Sequence, residues 1–148
     1  MKQNSQLSKV AELADLRSFP FGSVWIIGDE EISFPANREN RKLHKNRWVV
    51  IVSNNSLVNN DPTCFTVTVA PLTSKWDYKD EIDVELFVQN ETSIEKNSIV
   101  RLTQMQPVLK QKLQICKGEL SDDAKDELLA VLADYFGYIG DIDEEDYL

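Results

Sequence analysis

Apolar residues recur along this chain in two different periods, and the switches between them mark its elements. Leu7, Val10, Leu13 and Leu16 recur every third residue, which predicts a short helix over 5–17, closed by Pro20 and Gly22. The period then falls to two. Ser23–Ile27 is a short apolar strand, and Arg47–Ser53 (RWVVIVS) is the densest β-branched run in the chain. Phe65, Val67 and Val69 alternate with Thr66 and Thr68; Ile82, Val84 and Leu86 alternate with Asp83 and Glu85, a strand with one wet face. A further strand spans Ile99–Gln104, with Ile99, Arg101 and Thr103 on one face. The connections Gly28–Asn46, Asn54–Thr63 and Lys75–Asp80 are polar and turn-rich. After Gly118 the period becomes helical again: Ser121 is the expected N-cap, Leu128, Leu129, Leu132, Tyr135 and Phe136 form the stripe, and Gly137 and Gly140 end it. Successive strands without intervening helices predict a mainly β (α+β) fold, a small antiparallel sheet or barrel with a helix at each end.

Length and composition are compatible with one domain that needs no staples. The 148 residues are 42% hydrophobic and 28% charged, and Cys64 and Cys116 are too far apart in sequence for a CxxC clip, so reduced thiols are expected. No signal peptide and no run long enough to span a membrane are evident, which predicts a cytoplasmic protein. The net charge of -9 changes meaning once it is mapped. Glu119–Leu148 holds eleven acids against the single base Lys125, leaving residues 1–118 close to neutral. Between Arg38 and Arg47 five bases (Arg38, Arg41, Lys42, Lys45, Arg47) meet only Glu39, so a basic loop carrying His44 precedes the strongest strand. The acidic total therefore does not argue against a polyanionic partner. The expected organisation is an N-terminal helical extension over 1–20, a barrel domain with its helix over 21–137, and an acidic tail over 138–148.

Several chemistries drop out. A single histidine, no HExxH and no Cys/His cluster leave no zinc pattern. Asp141, Asp143 and Glu145 alternate like a calcium loop but lack its central glycine, and five scattered glycines build no phosphate loop. No partner is positioned to make His44 part of a nucleophilic triad. What remains is Arg47 opening one strand and Thr73–Ser74 closing the next. If those strands pair antiparallel, a cation and a hydroxyl meet at one sheet edge, a workable phosphate site.

Read in order, the segments FGSVWII, RWVVIVSNN, FTVTVAPLTS, EIDVEL, SIVRLTQMQPVLKQKL and the helix after KGELSDD resemble the MazF/PemK/Kid family of toxin–antitoxin endoribonucleases, over roughly Phe21 to Leu132. Trp48 stands where the family has proline, and the loop before Arg47 reads PANRENRKLHKN without the family's Gly-Glu-Gln signature. The resemblance implies an SH3-like barrel forming a homodimer, with an RNA groove along the subunit interface. It implies metal-independent, cofactor-free cleavage of single-stranded RNA at short sequences, and a toxin whose cognate antitoxin carries an acidic disordered segment. Arg47 and Thr73 fall on the family's catalytic pair. In its Kid-like branch an arginine and a later aspartate act instead; these fall on Arg101 and Thr103, so the carboxylate is missing from its expected place. Ser74, Arg101, Thr103, Gln104, Arg41, Lys42, His44, Lys45 and Trp76 are then the expected RNA contacts, with Tyr78 a further stacking candidate and Trp48 directed to the core.

The residue types agree with such chemistry. Cleavage by the substrate's own 2′-OH requires a proton acceptor, a proton donor and stabilisation of the phosphorane. Arg47, always protonated, suits charge stabilisation, Thr73 adds a hydroxyl, and His44 is the one side chain whose ordinary titration range suits a base. Two other readings stay open at this stage. One is a non-catalytic nucleic-acid- or protein-binding protein on the same fold; the other is an assembly protein that uses the fold only to dimerise.

Overall fold

The computed structural model describes residues 12–34 and 44–138. Seven antiparallel strands are present among them: β1 (Ser23–Gly28), β2 (Asn46–Ile51), β3 (Thr66–Thr73), β4 (Val84–Leu86), β5 (Ser98–Val100), β6 (Gln106–Leu109) and β7 (Leu113–Glu119). A one-turn helix α1 (Ser56–Asn59) and the C-terminal α2 (Asp122–Tyr135) complete the elements named here. The strand order is β4-β5-β3-β2-β1-β7, with β6 also paired to β3. β4 and β7 are the two ends of that path, so the sheet is not closed and the expected barrel is a mainly antiparallel open sheet.

The sheet carries core on both faces, as the pleat dictates. In β2 and β3 the odd-numbered Val49, Ile51, Val67 and Val69 join Trp25 and Ile27 of β1 in one cluster. The even-numbered Val50, Ala70 and Leu72, with Val52 just past the end of β2, join Val24, Val84 and Val100 in the other, where α2 covers them with Ala124, Leu128 and Leu132. The odd-numbered face is covered by Phe19, Ile32, Phe34 and Val58. Each fully buried Val or Ile contributes roughly 1.5–3 kcal/mol of transfer free energy, so this two-sided filling is the main source of stability.

The ends of α2 follow local chemistry. The Ser121 hydroxyl accepts the Ala124 N–H (3.2 Å), while buried Glu91 accepts both the backbone N–H and the hydroxyl of Ser121 at 2.6 Å. Gly137, at φ 78°, closes the helix, and the N–H of Tyr138 reaches back to Ala133 O. The expected stripe is only half used: Leu128 and Leu132 are buried, whereas Leu129, Tyr135 and Phe136 are exposed.

Several expectations are corrected. Of the helix expected over 5–17, residues 5–11 lie outside the described residues; Glu12 and Leu13 are helical, and the chain leaves the helix at Ala14. Leu16 is 89% exposed, and Phe19 supplies the buried contact instead. The strand expected over Ile99–Gln104 stops at Val100, followed by a 3-10 turn over Leu102–Gln104. β6 and β7 are not among the expected strands: Pro107 masks the first, and Cys116 and Lys117 break the apolar alternation that Leu113, Gln114 and Ile115 begin in the second. The tail beyond Tyr138, with Gly140, Asp141, Asp143 and Glu145, lies outside the described residues.

The segment before β1 is held by charge. Asp15 pairs with Arg17 (2.7 Å), and the guanidinium donates to Leu113 O and Lys110 O while lying 5.2 Å from the Phe19 ring centroid. The hydrogen bond from Arg17 holds the Asp15 carboxyl below its ordinary range. A carboxyl whose folded pKa is depressed adds stability above its unfolded pKa and loses it as the pH falls through the folded value. The stability difference between the native chain and Asp15→Asn should therefore be greatest at neutral pH and shrink as the pH falls below about 4. Thermal unfolding across that range checks it; a pH-independent difference would refute the linkage.

Candidate functional site

The register of the sheet assembles the site. β2 and β3 pair Val49 with Pro71 and Val50 with Ala70. Continued outward by one residue pair on the same face, this sets Arg47 opposite Thr73. On the other edge of β3, Thr73 pairs with Ile99, and the N–H of Arg101 donates to Pro71 O (2.9 Å). Arg47, Thr73 and Arg101 thus share one face and one end of three adjacent strands, with the last turn of β3 between the two arginines.

Each arginine arrives with its own carboxylate. Arg47 Nε donates to Oδ1 of Asp29 (3.0 Å), a side chain with no exposure, and its Nη1 donates to Leu72 O (3.3 Å). The Phe34 ring lies 4.9 Å from the guanidinium. The second oxygen of Asp29 accepts the backbone N–H of His44 (2.9 Å), so one buried carboxylate fixes both the arginine and the end of the preceding loop. Such a guanidinium is held in one orientation beside Thr73. The Thr73 oxygen accepts the Lys75 N–H (3.1 Å), which fixes the hydroxyl and leaves its O–H to donate.

Arg101 lies 2.9 Å from the fully buried Asp83 through Nε, a close ion pair poorly aligned as a hydrogen bond, and 3.2 Å from Asp80 through Nη2. Asp83 also accepts the N–H of Leu102 and of Asp80. Burial raises the Asp83 carboxyl above its ordinary range despite these partners. The alternation that put Asp83 on a wet face is corrected here: it extends the β4–β5 register to stand opposite Arg101, inside the protein, while Glu85 keeps its exposure and pairs with Lys79 (3.0 Å).

The other expected contacts distribute unevenly. Thr103 is exposed and donates to Asp80 (3.2 Å), and Gln104 lies 3.5 Å from the Thr103 hydroxyl. Ser74 and Lys45 are exposed, and Trp76 is half-buried, its indole N–H 3.4 Å from Asn97 O and its ring 5.7 Å from Phe87. His44 is exposed. Arg41 and Lys42 lie outside the described residues, as does the Tyr78 side chain. Trp48 is on the opposite face, partly buried against the α2-side core with Lys117 above its ring. Sequence reasoning missed Asp29, Asp80 and Asp83. The first had a faint signal, a carboxylate directly after an apolar strand, which is an uncommon place for a charge unless something pairs with it.

An antiparallel-sheet protein with an arginine–threonine pair at one strand end is thus the class that fold and site define. A family model described as PemK-like, MazF-like toxin of type II toxin-antitoxin system matches residues 31–136. The chain belongs to that family. Solved structures of the same fold include the Mycobacterium tuberculosis toxin MazF-mt6, at 20% identity and TM-score 0.54 over 78% of this chain and 96% of that one. A mycobacterial endoribonuclease in complex with its cognate antitoxin is similar at 16% identity and TM-score 0.57, over 80% and 94% of the two chains. A MazE-MazF structure from Deinococcus radiodurans follows at 13% identity and TM-score 0.54, over 83% and 97%. No curated protein sequence matches significantly.

Proposed function

We propose that this chain is an active endoribonuclease that cleaves single-stranded RNA through the substrate's own 2′-OH, without a metal, as the growth-inhibiting toxin of a toxin–antitoxin pair. The observation that carries the reading is the juxtaposition of Arg47 and Thr73, with Arg47 braced by the buried Asp29. Family membership supports the toxin role and the endoribonuclease class.

In the proposed reaction the 2′-oxygen attacks the adjacent phosphorus, the P–O5′ bond breaks, and the products carry a 2′,3′-cyclic phosphate and a 5′-hydroxyl. Arg47 meets the negative charge that develops on the phosphorane oxygens, and the Thr73 hydroxyl donates a second hydrogen bond to the same group. A guanidinium already oriented by Asp29 reorganises little when that charge appears, which is how fixed donors accelerate a reaction. Arg101, Thr103, Gln104, Ser74 and Trp76 lie around the same strand end and would contact flanking nucleotides, Trp76 by stacking. A homodimer, and an antitoxin segment bearing acids, complete the reading as partners.

The test is incubation of the purified protein with a mixed single-stranded RNA in the presence of a chelator, followed by end-group analysis. Cleavage leaving cyclic phosphate and 5′-hydroxyl ends is expected. Cleavage that requires added magnesium, or that leaves 5′-phosphates, overturns the mechanism.

A further inference from the structure

The cluster around Arg101 holds more carboxylate than the arginine needs. Asp83, with no side-chain exposure, stands opposite Arg101 across the β4–β5 ladder and is tied by the N–H groups of Leu102 and Asp80. It is part of the fold. Asp80 differs: its side chain is 52% exposed, it comes from the loop after β3, and one oxygen takes both the Arg101 Nη2 and the Thr103 hydroxyl at 3.2 Å. A guanidinium N–H and a hydroxyl converging on one anionic oxygen is the donor set that a phosphodiester oxygen would use.

We infer that Arg101 and Thr103 form a second phosphodiester subsite, beside the Arg47–Thr73 pair, which the chain's own Asp80 carboxylate occupies and which RNA enters by displacing it. The inference rests on the RNA-cleaving reading above. Arg101 lies opposite Pro71, and Thr73 is the next residue of β3 on that face, so the two subsites are diagonal neighbours on adjacent strands. That separation suits consecutive phosphates of one strand. The charge count requires exchange rather than addition. With Asp83 fixed, Arg101 is already neutralised, and a phosphodiester arriving while Asp80 stays would put a third anion on one cation. Half of the Asp80 side chain faces water and only one of its oxygens meets Arg101 and Thr103, so its displacement is cheap. Asp83 keeps the guanidinium in place throughout, so the subsite survives when Asp80 leaves.

The experiment measures affinity for a 2′-O-methyl single-stranded oligonucleotide, which cannot be cleaved by 2′-OH attack, using the native chain, Asp80→Asn and Asp77→Asn. Asp77 is an exposed acid of the same loop and reports the general effect of removing one charge there. Asp80→Asn is expected to bind about fivefold more tightly than the native chain, the scale of one exposed ion pair, and Asp77→Asn less than twofold. Equal effects of the two variants, or weaker binding by Asp80→Asn, overturn the inference while leaving the RNA reading intact. Loss of binding in Asp80→Asn overturns it as well, because it makes the carboxylate a working part of the substrate site. No binding by any of the three chains overturns both readings. Thermal unfolding of Asp80→Asn, expected to match the native chain because the residue is exposed, confirms that affinities compare like with like.

Discussion

Arg47→Ala should lower the rate of RNA cleavage by roughly two orders of magnitude or more, the scale of removing one fixed donor from a developing oxyanion. Thr73→Ala should fall in the same range. Arg47→Lys is the more informative variant. It keeps the charge but loses the planar fork that at present reaches Asp29 and Leu72 O together, so most of the activity should be lost although the local charge is unchanged. Arg47→Ala also leaves the buried Asp29 carboxylate without its cation and should cost stability, so Thr73→Ala, at a half-buried residue, is the variant that separates activity from folding. Single-turnover cleavage assays check the rates, and full activity in Arg47→Ala or Thr73→Ala would reject the assigned pair. Asp29 acts through Arg47. Its replacement by asparagine should slow the chemical step while leaving the affinity for uncleavable RNA largely unchanged, the split expected of a positioning residue.

The second large effect concerns stability. Lys110 has no solvent exposure, yet its ammonium lies among groups that suit it: Nζ donates to Val58 O and to Asp61 O (2.9 Å), with the Phe19 ring 5.7 Å away. Its own carbonyl accepts from Arg17, and its N–H donates to Phe65 O. Lys110 therefore ties α1 and the loop that follows it, through its side chain, and the segments before β1 and β3, through its backbone, to the end of β6. Lys110→Met preserves the apolar stem but leaves both carbonyls without their donor, at a cost of about 2–3 kcal/mol after allowing for the desolvation no longer incurred by the ammonium. For a chain of this size that corresponds to a fall of roughly 5–10 °C in Tm. An unchanged midpoint in a thermal melt would show that Lys110 merely fills space.

The parts of this molecule that sequence revealed were those governed by local repetition. β-branched alternation located β1, β2 and the start of β3, and Ser121 marked the helix start because a hydroxyl before two acids has few other uses. The Arg47–Thr73 juxtaposition was legible as well, since two paired strands oblige the start of one to meet the end of the next. The ion pairs were hidden because they depend on register between strands distant in sequence. Nothing near Asp83 says that Arg101 stands opposite it, and the alternating pattern even assigned it to solvent. Lys110 was equally silent: a lysine between two strands reads as surface until the carbonyls of residues 58 and 61 are placed around its tip. Leu16, apolar yet exposed, shows the converse, where a periodic apolar residue carries no packing at all.

Because the two site arginines are already neutralised by aspartates, neither projects an unbalanced field into solvent. For the proposed substrate this means that duplexes and folded RNAs passing this rim would feel little attraction from those two cations, and the donors would open only to a strand whose phosphates come close enough to compete for them one at a time. On the RNA-cleaving reading proposed above, selectivity for an unpaired, flexible strand would then arise before any base is read: a stiff helix could not bring successive phosphates down to both arginines at the end of β3, whereas a single strand could bend to do so.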